Sequence, residues 1–236
     1  MFLRNKKILT SSGQKMWNRA NKIIPGGTML FSKNPNLFLP KKWPAYFKKA
    51  KGCKIWDLDG KIYHDLSFMG VGTNILGYAN NKIDKEVIKA LKDGNMSTFN
   101  SKHEIELAEK LVSLHPWSNM AKFTRSGGEA NAVAIRIARA ASKKKNIAVC
   151  GYHGWHDWYL SANLKSKNNL NNHLMKNLPI EGVPKQLKNT IFTFEYNDFD
   201  SLKKIVLKNK IGIIKMEVSR NFLPKNNFLK KIRNLC

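Results

Sequence analysis

The sequence has few cysteines, and they lie far apart. Only three occur among 236 residues, at Cys53, Cys150 and Cys236. No C-x-x-C pair is present, so neither a zinc site nor a disulfide framework is indicated. Scarce and scattered thiols are typical of a reducing compartment, and we therefore expect a cytoplasmic protein.

Long apolar runs are also missing. No stretch approaches the roughly 18 consecutive apolar residues that indicate a membrane-spanning helix. Near the N-terminus, Arg4, Lys6 and Lys7 are followed by too short an apolar segment for a secretory signal peptide. We therefore expect no association with membranes.

Acidic side chains are scarce, with 16 of them against 42 basic ones, for a formal net charge of +26. Such an excess is common in proteins that bind nucleic acids. Here, however, 35 of the basic residues are Lys and only seven are Arg, and they are spread along the chain. Phosphate recognition favours clustered Arg and Lys with aromatic residues between them. A basic nucleic-acid-binding protein therefore remains the weaker alternative.

The N-terminal part reads as a basic leader and a short helix within residues 1–24, with Trp17 and Ile23 or Ile24 as apolar anchors. A break follows at Pro25-Gly26-Gly27-Thr28. Residues 37–68 then predict a small β unit, in which residues 45–47 and 54–57 are strand-like and Asp59-Gly60 indicates a hairpin.

Two amphipathic helices are predicted next. Residues 81–91 carry an apolar stripe at helical spacing, and a second helix opens at Ser101 or His103 and ends at Pro116. We expect the apolar side of the second helix to be buried. The stripe residues are Ile83, Val87, Ile88 and Leu91 in the first helix, and Ile105, Leu107, Ala108, Leu111 and Val112 in the second.

From Met120 onward, predicted strands and helices alternate, which is the pattern of parallel βαβ units in an α/β fold. A polar segment rich in Asn and Lys, residues 163–177, is expected to be a surface excursion. The strands are predicted at residues 120–124, 147–150, 190–196 and 212–218, and the helices at 130–141, 198–209 and 226–235.

The most informative stretch is Ser126-Gly127-Gly128-Glu129, which opens the helix whose predicted apolar stripe is Ala130, Val133, Ala134, Ile137, Ala138 and Ala141. Ser126 or Gly127 is a candidate N-cap, and Glu129 suits the helix dipole. Two residues without side chains let backbone amides approach an anion. After the next strand, Tyr152 offers a flat ring at a strand end, where ligands gather in open α/β sheets. Taken separately, the turn could be an ordinary connection and the rings could be core.

The motifs resemble those of class III aminotransferases of pyridoxal-phosphate fold type I, in the glutamate-1-semialdehyde aminomutase-like branch. Residues 126–130 are similar to the family's S-G-[ST]-E-A, residues 151–154 to its Y-H-G strand end, and residues 56–60 to its W-D-x-D-G hairpin. The resemblance implies that residues 1–75 belong to a small domain. It places residues 76–236 in the first part of a large αβα domain with a mixed sheet.

The resemblance also implies pyridoxal 5'-phosphate as cofactor. The amides of Gly127 and Gly128 would hold its phosphate, and Tyr152 would stack on its ring with His153 beside it. Glu217 and Asn221, which resemble the family's E-P-x-x-N, would lie near its phenolic oxygen.

Several positions depart from the family pattern. Gly128 stands where a Ser or Thr is usual, so a hydroxyl that would contact the phosphate is missing. Tyr78 replaces a usual His, and Val218 a usual Pro. Trp155 and Trp158 are expected in the core. His153 and His156 could be read as zinc ligands, but without a third ligand we expect no metal.

The implied activity is amino transfer between a small-molecule amine and a carbonyl, by an aminotransferase or aminomutase. Fold type I enzymes are usually homodimers. No lysine here lies in a motif like the family's Schiff-base lysine, so we expect the N-terminal half of a longer enzyme, inactive alone. A non-catalytic or regulatory partner of a full-length homologue stays open as an alternative.

Overall fold

The computed structural model describes residues 11–67, 69–70, 72–173, 176, 178–219 and 221–236. Residues 1–10 of the predicted leader lie outside these ranges, as do residues 68 and 71, residues 174, 175 and 177 of the predicted polar segment, and residue 220 in the E-P-x-x-N-like stretch. The chain forms two compact units, Met1–Ser101 and Lys102–Cys236. The division at residues 75 and 76 concerns domains of a whole enzyme and stays a prediction.

In the first unit, helix α1 spans Ser12–Ile23, and the Ser11 side chain caps it by accepting from the amide of Gln14. Trp17 is buried and lies against Gly27, where an added Cβ would come within 2.6 Å of the indole. Ile23 and Ile24 are 70% and 42% exposed. The predicted isoleucine anchor was therefore wrong, because the inward face of the helix is the one that carries Trp17 and Ala20.

A three-stranded antiparallel sheet follows, with β1 at Phe47–Lys51, β2 at Lys54–Asp57 and β3 at Ile62–His64. The predicted Asp59-Gly60 hairpin is confirmed. The Asp57 carboxylate accepts from the amides of Asp59 and Lys61 at 3.0 and 2.8 Å, and Gly60 has a φ of +83°. This bond pattern is an Asx turn, in which the side chain closes the loop.

Helix α2 spans Asn81–Lys92 and closes the first unit, and helix α3 spans Lys102–Leu114 and opens the second. Both helices were predicted, but neither buries its stripe. The α2 stripe is about half exposed, and in α3 Ile105 and Leu107 are 63% and 50% exposed. The predicted burial of the α3 stripe was wrong for Ile105 and Leu107, whereas Ala108, Leu111 and Val112 are half-buried.

The second unit contains a parallel sheet in the order β5-β4-β6, which confirms the predicted βαβ alternation. Short 3-10 turns lie at Phe31–Lys33 and Pro35–Leu37 in the first unit, and at Ser161–Leu164 and Lys185–Leu187 in the second. The elements of the second unit after α3 are α4 at Gly127–Ser142, β4 at Asn146–Cys150, α5 at Asp157–Leu160, β5 at Ile191–Thr193, α6 at Phe199–Asn209, β6 at Ile211–Met216 and α7 at Phe228–Leu235.

The central strand β4 separates two apolar clusters, because successive side chains of a strand point to opposite faces. Ile147 and Val149 pack on one face, and Ala148 and Cys150 on the other. The first face meets Ile135, Trp158, Tyr159 and Leu170, and the second meets Phe194, Leu202, Phe228 and Ile232. The strand is thereby fixed from both sides, and its carboxyl end has a defined position.

Three expectations about this unit were wrong. Residues 120–124 form no strand, since no described strand pairs with them. In α4 the inward residue is Ile135, whereas Ile137 of the predicted stripe is 57% exposed. The polar segment is no plain surface excursion, because Asn163, Leu170 and His173 are buried. Its fold depends on side-chain bonds such as that from the Leu170 amide to Asn163 Oδ1 at 3.0 Å.

Candidate functional site

The amino end of α4 is capped as the sequence predicts. Ser126 is the N-cap, and its hydroxyl accepts from the Glu129 amide at 3.3 Å. The Glu129 carboxylate accepts from the Arg125 amide at 2.9 Å. Within the described part of the chain, no group accepts from the amides of Gly127 and Gly128. Two donors at the positive end of a helix dipole are therefore available to an anion.

The loop after β4 lies directly against this helix end. Gly154 has a φ of +99°, and a Cβ added there would lie 3.1 Å from the Cα of Gly128. The side-chain amide of Asn131 donates to the backbone carbonyl of His153 at 3.2 Å. The two motifs singled out in the sequence therefore meet in the folded chain. The close approach requires glycine at position 154.

Gly128 itself is crowded on one side. A Cβ added at this position would lie 3.0 Å from both Cδ2 and Nε2 of His156. A Ser or Thr there would therefore compete with the imidazole for space. The presence of glycine in place of the usual Ser or Thr therefore fits the structure, because the edge of His156 borders the volume that a side chain at position 128 would take.

Tyr152 is half-buried, with its ring edge-to-face against that of Tyr159 at a centroid distance of 6.0 Å and an interplanar angle of 87°. Tyr159 is buried, and its hydroxyl donates to the carbonyl of Gly151 at 2.8 Å. The orientation of the Tyr152 ring is thus supported by the core. Its stacking on a cofactor stays a prediction.

His153 is only 3% exposed, and its Nε2 lies 2.9 Å from the carbonyl of Cys150. Because a carbonyl only accepts, Nε2 carries the proton. The ring also meets that of Tyr159 edge-on at 5.9 Å. His153 therefore holds the loop onto the core, and its predicted place beside the cofactor ring stays a prediction.

Glu217 and Asn221 line a second feature, a hollow of about 120 Å³ at the carboxyl ends of β4, β5 and β6. The Glu217 amide donates to the Cys150 carbonyl at 3.2 Å, and a Cβ added at Gly151 would lie 2.6 Å from Glu217 Oε2. The remaining lining residues are Cys150, Gly151, Asn172, His173, Glu195, Tyr196 and Phe222.

The six predicted site residues therefore form two groups. Gly127 and Gly128 form the amino end of α4, and Tyr152 and the buried His153 belong to the loop that lies against it, whereas Glu217 and Asn221 line the hollow. Gly151 connects the groups, because it lines the hollow and precedes Tyr152 in the chain. No described hollow contains all six residues.

Titration within the hollow is governed by burial. Burial, with the negative charges of Glu195 and Glu217, raises the pKa of Cys150 to about 12. Burial also lowers the pKa of His173. The amide of Gly151 donates to Nδ1 of His173 at 2.8 Å, so the neutral ring carries its proton on Nε2.

Sequence reasoning missed His173, Glu195, Tyr196 and the contact of His156 with Gly128. Glu195 and Tyr196 follow a parallel strand, so the rule that ligands gather at such ends could have found them. No local pattern identifies His173, which lies in the polar segment.

Among the described residues, no group of three or more His, Cys, Asp and Glu side chains is placed to hold a metal ion. No helix within the described ranges has the length and apolar character needed to cross a membrane. Of the two tryptophans expected in the core, Trp158 is buried, whereas Trp155 is 69% exposed, so that part of the expectation was wrong.

Comparison with known proteins extends these findings. The class III aminotransferase family model matches residues 40–236. The chain is 31% identical over 240 residues to a 3-aminobutyryl-CoA aminotransferase of Cloacimonas acidaminovorans, covering 98% of this chain and 53% of the relative. It is 34% identical over 239 residues to a glutamate-1-semialdehyde 2,1-aminomutase of Wigglesworthia glossinidia brevipalpis, covering 97% and 53%.

Solved structures agree on the fold. An omega-transaminase from Sphaerobacter thermophilus superposes with a TM-score of 0.80 at 24% identity, covering 97% of this chain and 53% of that one. The chain spans about half the length of the relatives it matches. With a family match over most of its residues and the motif geometry just described, the chain belongs to the class III aminotransferases, a family of pyridoxal-phosphate-dependent transaminases and aminomutases.

Proposed function

We propose that this chain supplies the cofactor-binding half of a pyridoxal-phosphate-dependent aminotransferase or aminomutase. The observation that carries the proposal is the approach of Gly154 to Gly128, held by the bond from Asn131 to the carbonyl of His153. It brings two amide donors and an aromatic loop to one place at the end of β4.

The residues present fit the cofactor. The amides of Gly127 and Gly128 have no acceptor among the described residues, and a Cβ added at Gly127 would meet nothing within 4 Å, so a phosphate has both donors and space. The half-buried Tyr152 would stack on the ring. Glu217 and Asn221 would lie toward its phenolic side.

When bound, the cofactor supplies the electron sink that lets an amino group leave one carbon and join a carbonyl carbon. This chain would bind and orient the cofactor. The helix end would neutralise the phosphate charge, and the tyrosine would fix the plane of the ring. His153 would keep the loop on the core through its bond to the Cys150 carbonyl.

The activity of the whole protein is proposed from its relatives. The names of the matched proteins support either aminomutase chemistry on glutamate-1-semialdehyde or aminotransfer to or from a 3-aminobutyryl thioester. We further propose a cytoplasmic homodimer and a small domain of residues 1–75. The family resemblance supports the homodimer and the small domain, and the few scattered cysteines support the cytoplasmic location.

The cofactor site is tested by calorimetric titration of the purified chain with pyridoxamine 5'-phosphate and with pyridoxamine. The amine forms are needed because the aldehyde of pyridoxal phosphate reacts with lysine side chains, of which this chain has 35. We expect pyridoxamine 5'-phosphate to bind at least tenfold more tightly, since charge-assisted hydrogen bonds contribute about 1.5–3 kcal/mol each. Equal binding of the two compounds would contradict the proposed phosphate seat.

Activity requires a separate assay. The chain alone, with pyridoxal phosphate, an amino donor and a keto acceptor, should show no turnover, because none of its lysines lies in a motif like the family's Schiff-base lysine. Turnover by this chain would contradict its proposed part as half of a site. Assaying the whole protein with glutamate-1-semialdehyde against donor and acceptor pairs separates aminomutase from aminotransferase.

A further inference from the structure

His156 occupies an unusual position beside the proposed phosphate seat. Its Cδ2 and Nε2 lie 3.0 Å from the place where a Cβ at Gly128 would be. Gly128 is one of the two residues whose amides have no acceptor among the described residues. The nitrogen-bearing edge of the imidazole therefore borders the volume next to the helix end.

The ring is held there by stacking and not by hydrogen bonds. It lies parallel to the indole of Trp155, with centroids 4.9 Å apart and an interplanar angle of 20°. His156 is the N-cap residue of α5, but its side chain caps no amide of that helix. Across the described ranges, neither ring nitrogen has a hydrogen-bond partner, so Nε2 is available to a ligand.

We propose that His156 is a phosphate-binding residue, whose Nε2–H donates to the phosphate held by Gly127 and Gly128. The inference rests on the proposed function and deepens it, by assigning the contact that a residue with a hydroxyl at position 128 would otherwise make. The imidazole edge and a side chain at position 128 would compete for the same space. In this proposal, either group can therefore supply the side-chain donor to the phosphate.

Because the imidazole of His156 and a side chain at position 128 exclude each other, the sharpest test exchanges one donor for the other. We compare the wild type with His156→Ala, His156→Gln, Gly128→Ser and the double variant Gly128→Ser/His156→Ala. Each is titrated with pyridoxamine 5'-phosphate and with pyridoxamine, and the phosphate contribution is read as the ratio of the two affinities. Coupling between the two sites is read from the double-mutant cycle.

The expected result is a loss of about tenfold to a hundredfold in affinity for pyridoxamine 5'-phosphate in His156→Ala, as for removal of a hydrogen bond to a charged group. Affinity for pyridoxamine should stay unchanged. His156→Gln keeps an N–H donor of similar reach and should stay close to wild type. Gly128→Ser alone should bind less tightly because its Cβ crowds the ring, and the double variant should recover most of the loss.

His115→Ala serves as the matched control, because it removes an exposed imidazole whose Nδ1 bonds to Leu111 at the end of α3. Its affinity ratio should equal that of the wild type. An unchanged ratio in His156→Ala would overturn the proposal. If His156→Ala does not fold, a double variant that folds and binds no better than Gly128→Ser would overturn it as well. If the wild type binds pyridoxamine 5'-phosphate and pyridoxamine equally, that result contradicts the proposed function, and this inference with it.

Discussion

The side chain of Asn131 donates a hydrogen bond of 3.2 Å to the backbone carbonyl of His153. It joins the second turn of α4 to the loop that follows β4, which are 22 residues apart in sequence. No salt bridge described in the structure connects these two segments. The bond therefore holds the aromatic loop against the glycine turn.

Replacing Asn131 with Leu should weaken both folding and ligand binding. The change keeps the approximate size but leaves the carbonyl of His153 without this donor, which should cost about 0.5–1.5 kcal/mol of stability. Urea unfolding measures the stability, and titration with pyridoxamine 5'-phosphate measures the binding. We expect the affinity to fall severalfold as the loop shifts from the helix end.

Asn209→Leu is the control for that change. Its side-chain amide donates to the carbonyl of Ile205 at 2.9 Å, at the end of α6 that leads into the amino end of β6. It should lose a similar amount of stability and keep the affinity of the wild type. Equal effects of the two variants on binding would show that the Asn131 bond has only a general structural role.

The second prediction concerns Gly154. Alanine there must adopt a φ of +99° and bring its Cβ to 3.1 Å from the Cα of Gly128. Gly182→Ala meets the same kind of backbone strain, with a φ of +86°, but nothing within 4 Å. Strain alone costs about 1–3 kcal/mol. In denaturant unfolding, we expect Gly154→Ala to lose more stability than Gly182→Ala, and in titrations to lose affinity for pyridoxamine 5'-phosphate as well. Equal losses of stability with unchanged affinity would argue against the close approach.

Acid should destabilise the second unit through His173. Burial lowers the pKa of this imidazole, whereas the unfolded chain has a value near 6.5. Between the lowered pKa and about 6.5 the unfolded chain binds more protons, so stability falls as the pH drops through this range. His173→Asn keeps an acceptor for the Gly151 amide and does not titrate. Its stability between pH 7.5 and 5.5, measured by urea unfolding, should change less steeply, by up to about 1.4 kcal/mol per pH unit.

His115→Asn provides the comparison for His173, because His115 is exposed. Its pH profile should follow that of the wild type. If His173→Asn retains the full acid sensitivity of the wild type, protonation of His173 does not cause it.

Thiol labelling tests the packing of the hollow. With its pKa raised to about 12, Cys150 should be ionised at pH 8 in only about one molecule in ten thousand. It is also 5% exposed, whereas Cys53 and Cys236 are exposed. Iodoacetamide at pH 8 should therefore modify two sites in the folded chain and a third only after unfolding, as read by mass spectrometry of peptides. Rapid labelling of Cys150 in the folded chain would show that β4 is not packed as described.

Local features of the fold could be predicted well because their causes are local. Ser126 caps α4 through a bond to a residue three positions away, and the Asp59-Gly60 hairpin closes through the carboxylate of Asp57. The alternation of strand and helix from β4 onward follows from apolar period alone. Each of these signals lies within a few consecutive residues.

Burial could not be predicted in the same way, because it depends on neighbours distant in sequence. The apolar stripe of α4 pointed to Ile137, yet the face that packs is that of Ile135. Residues 120–124 have the composition of a strand, but a strand needs a partner, and none pairs with them among the described residues. The glycine turn and Tyr152 were predicted from motifs, and the role of Tyr152 stays a prediction. The contact of His156 with Gly128 arises from a loop that folds back over 28 positions, and no local pattern predicts it.

The central claim is that the amides of Gly127 and Gly128 hold the cofactor phosphate, and amide NMR tests it most directly. The chain has 15 glycines, so labelling with ¹⁵N-glycine gives a simple spectrum, in which Gly127→Ala and Gly128→Ala identify the two signals. On titration with pyridoxamine 5'-phosphate, we predict large shifts of both signals, which pyridoxamine does not produce. Saturable binding that leaves both signals in place while other glycines move would contradict the account.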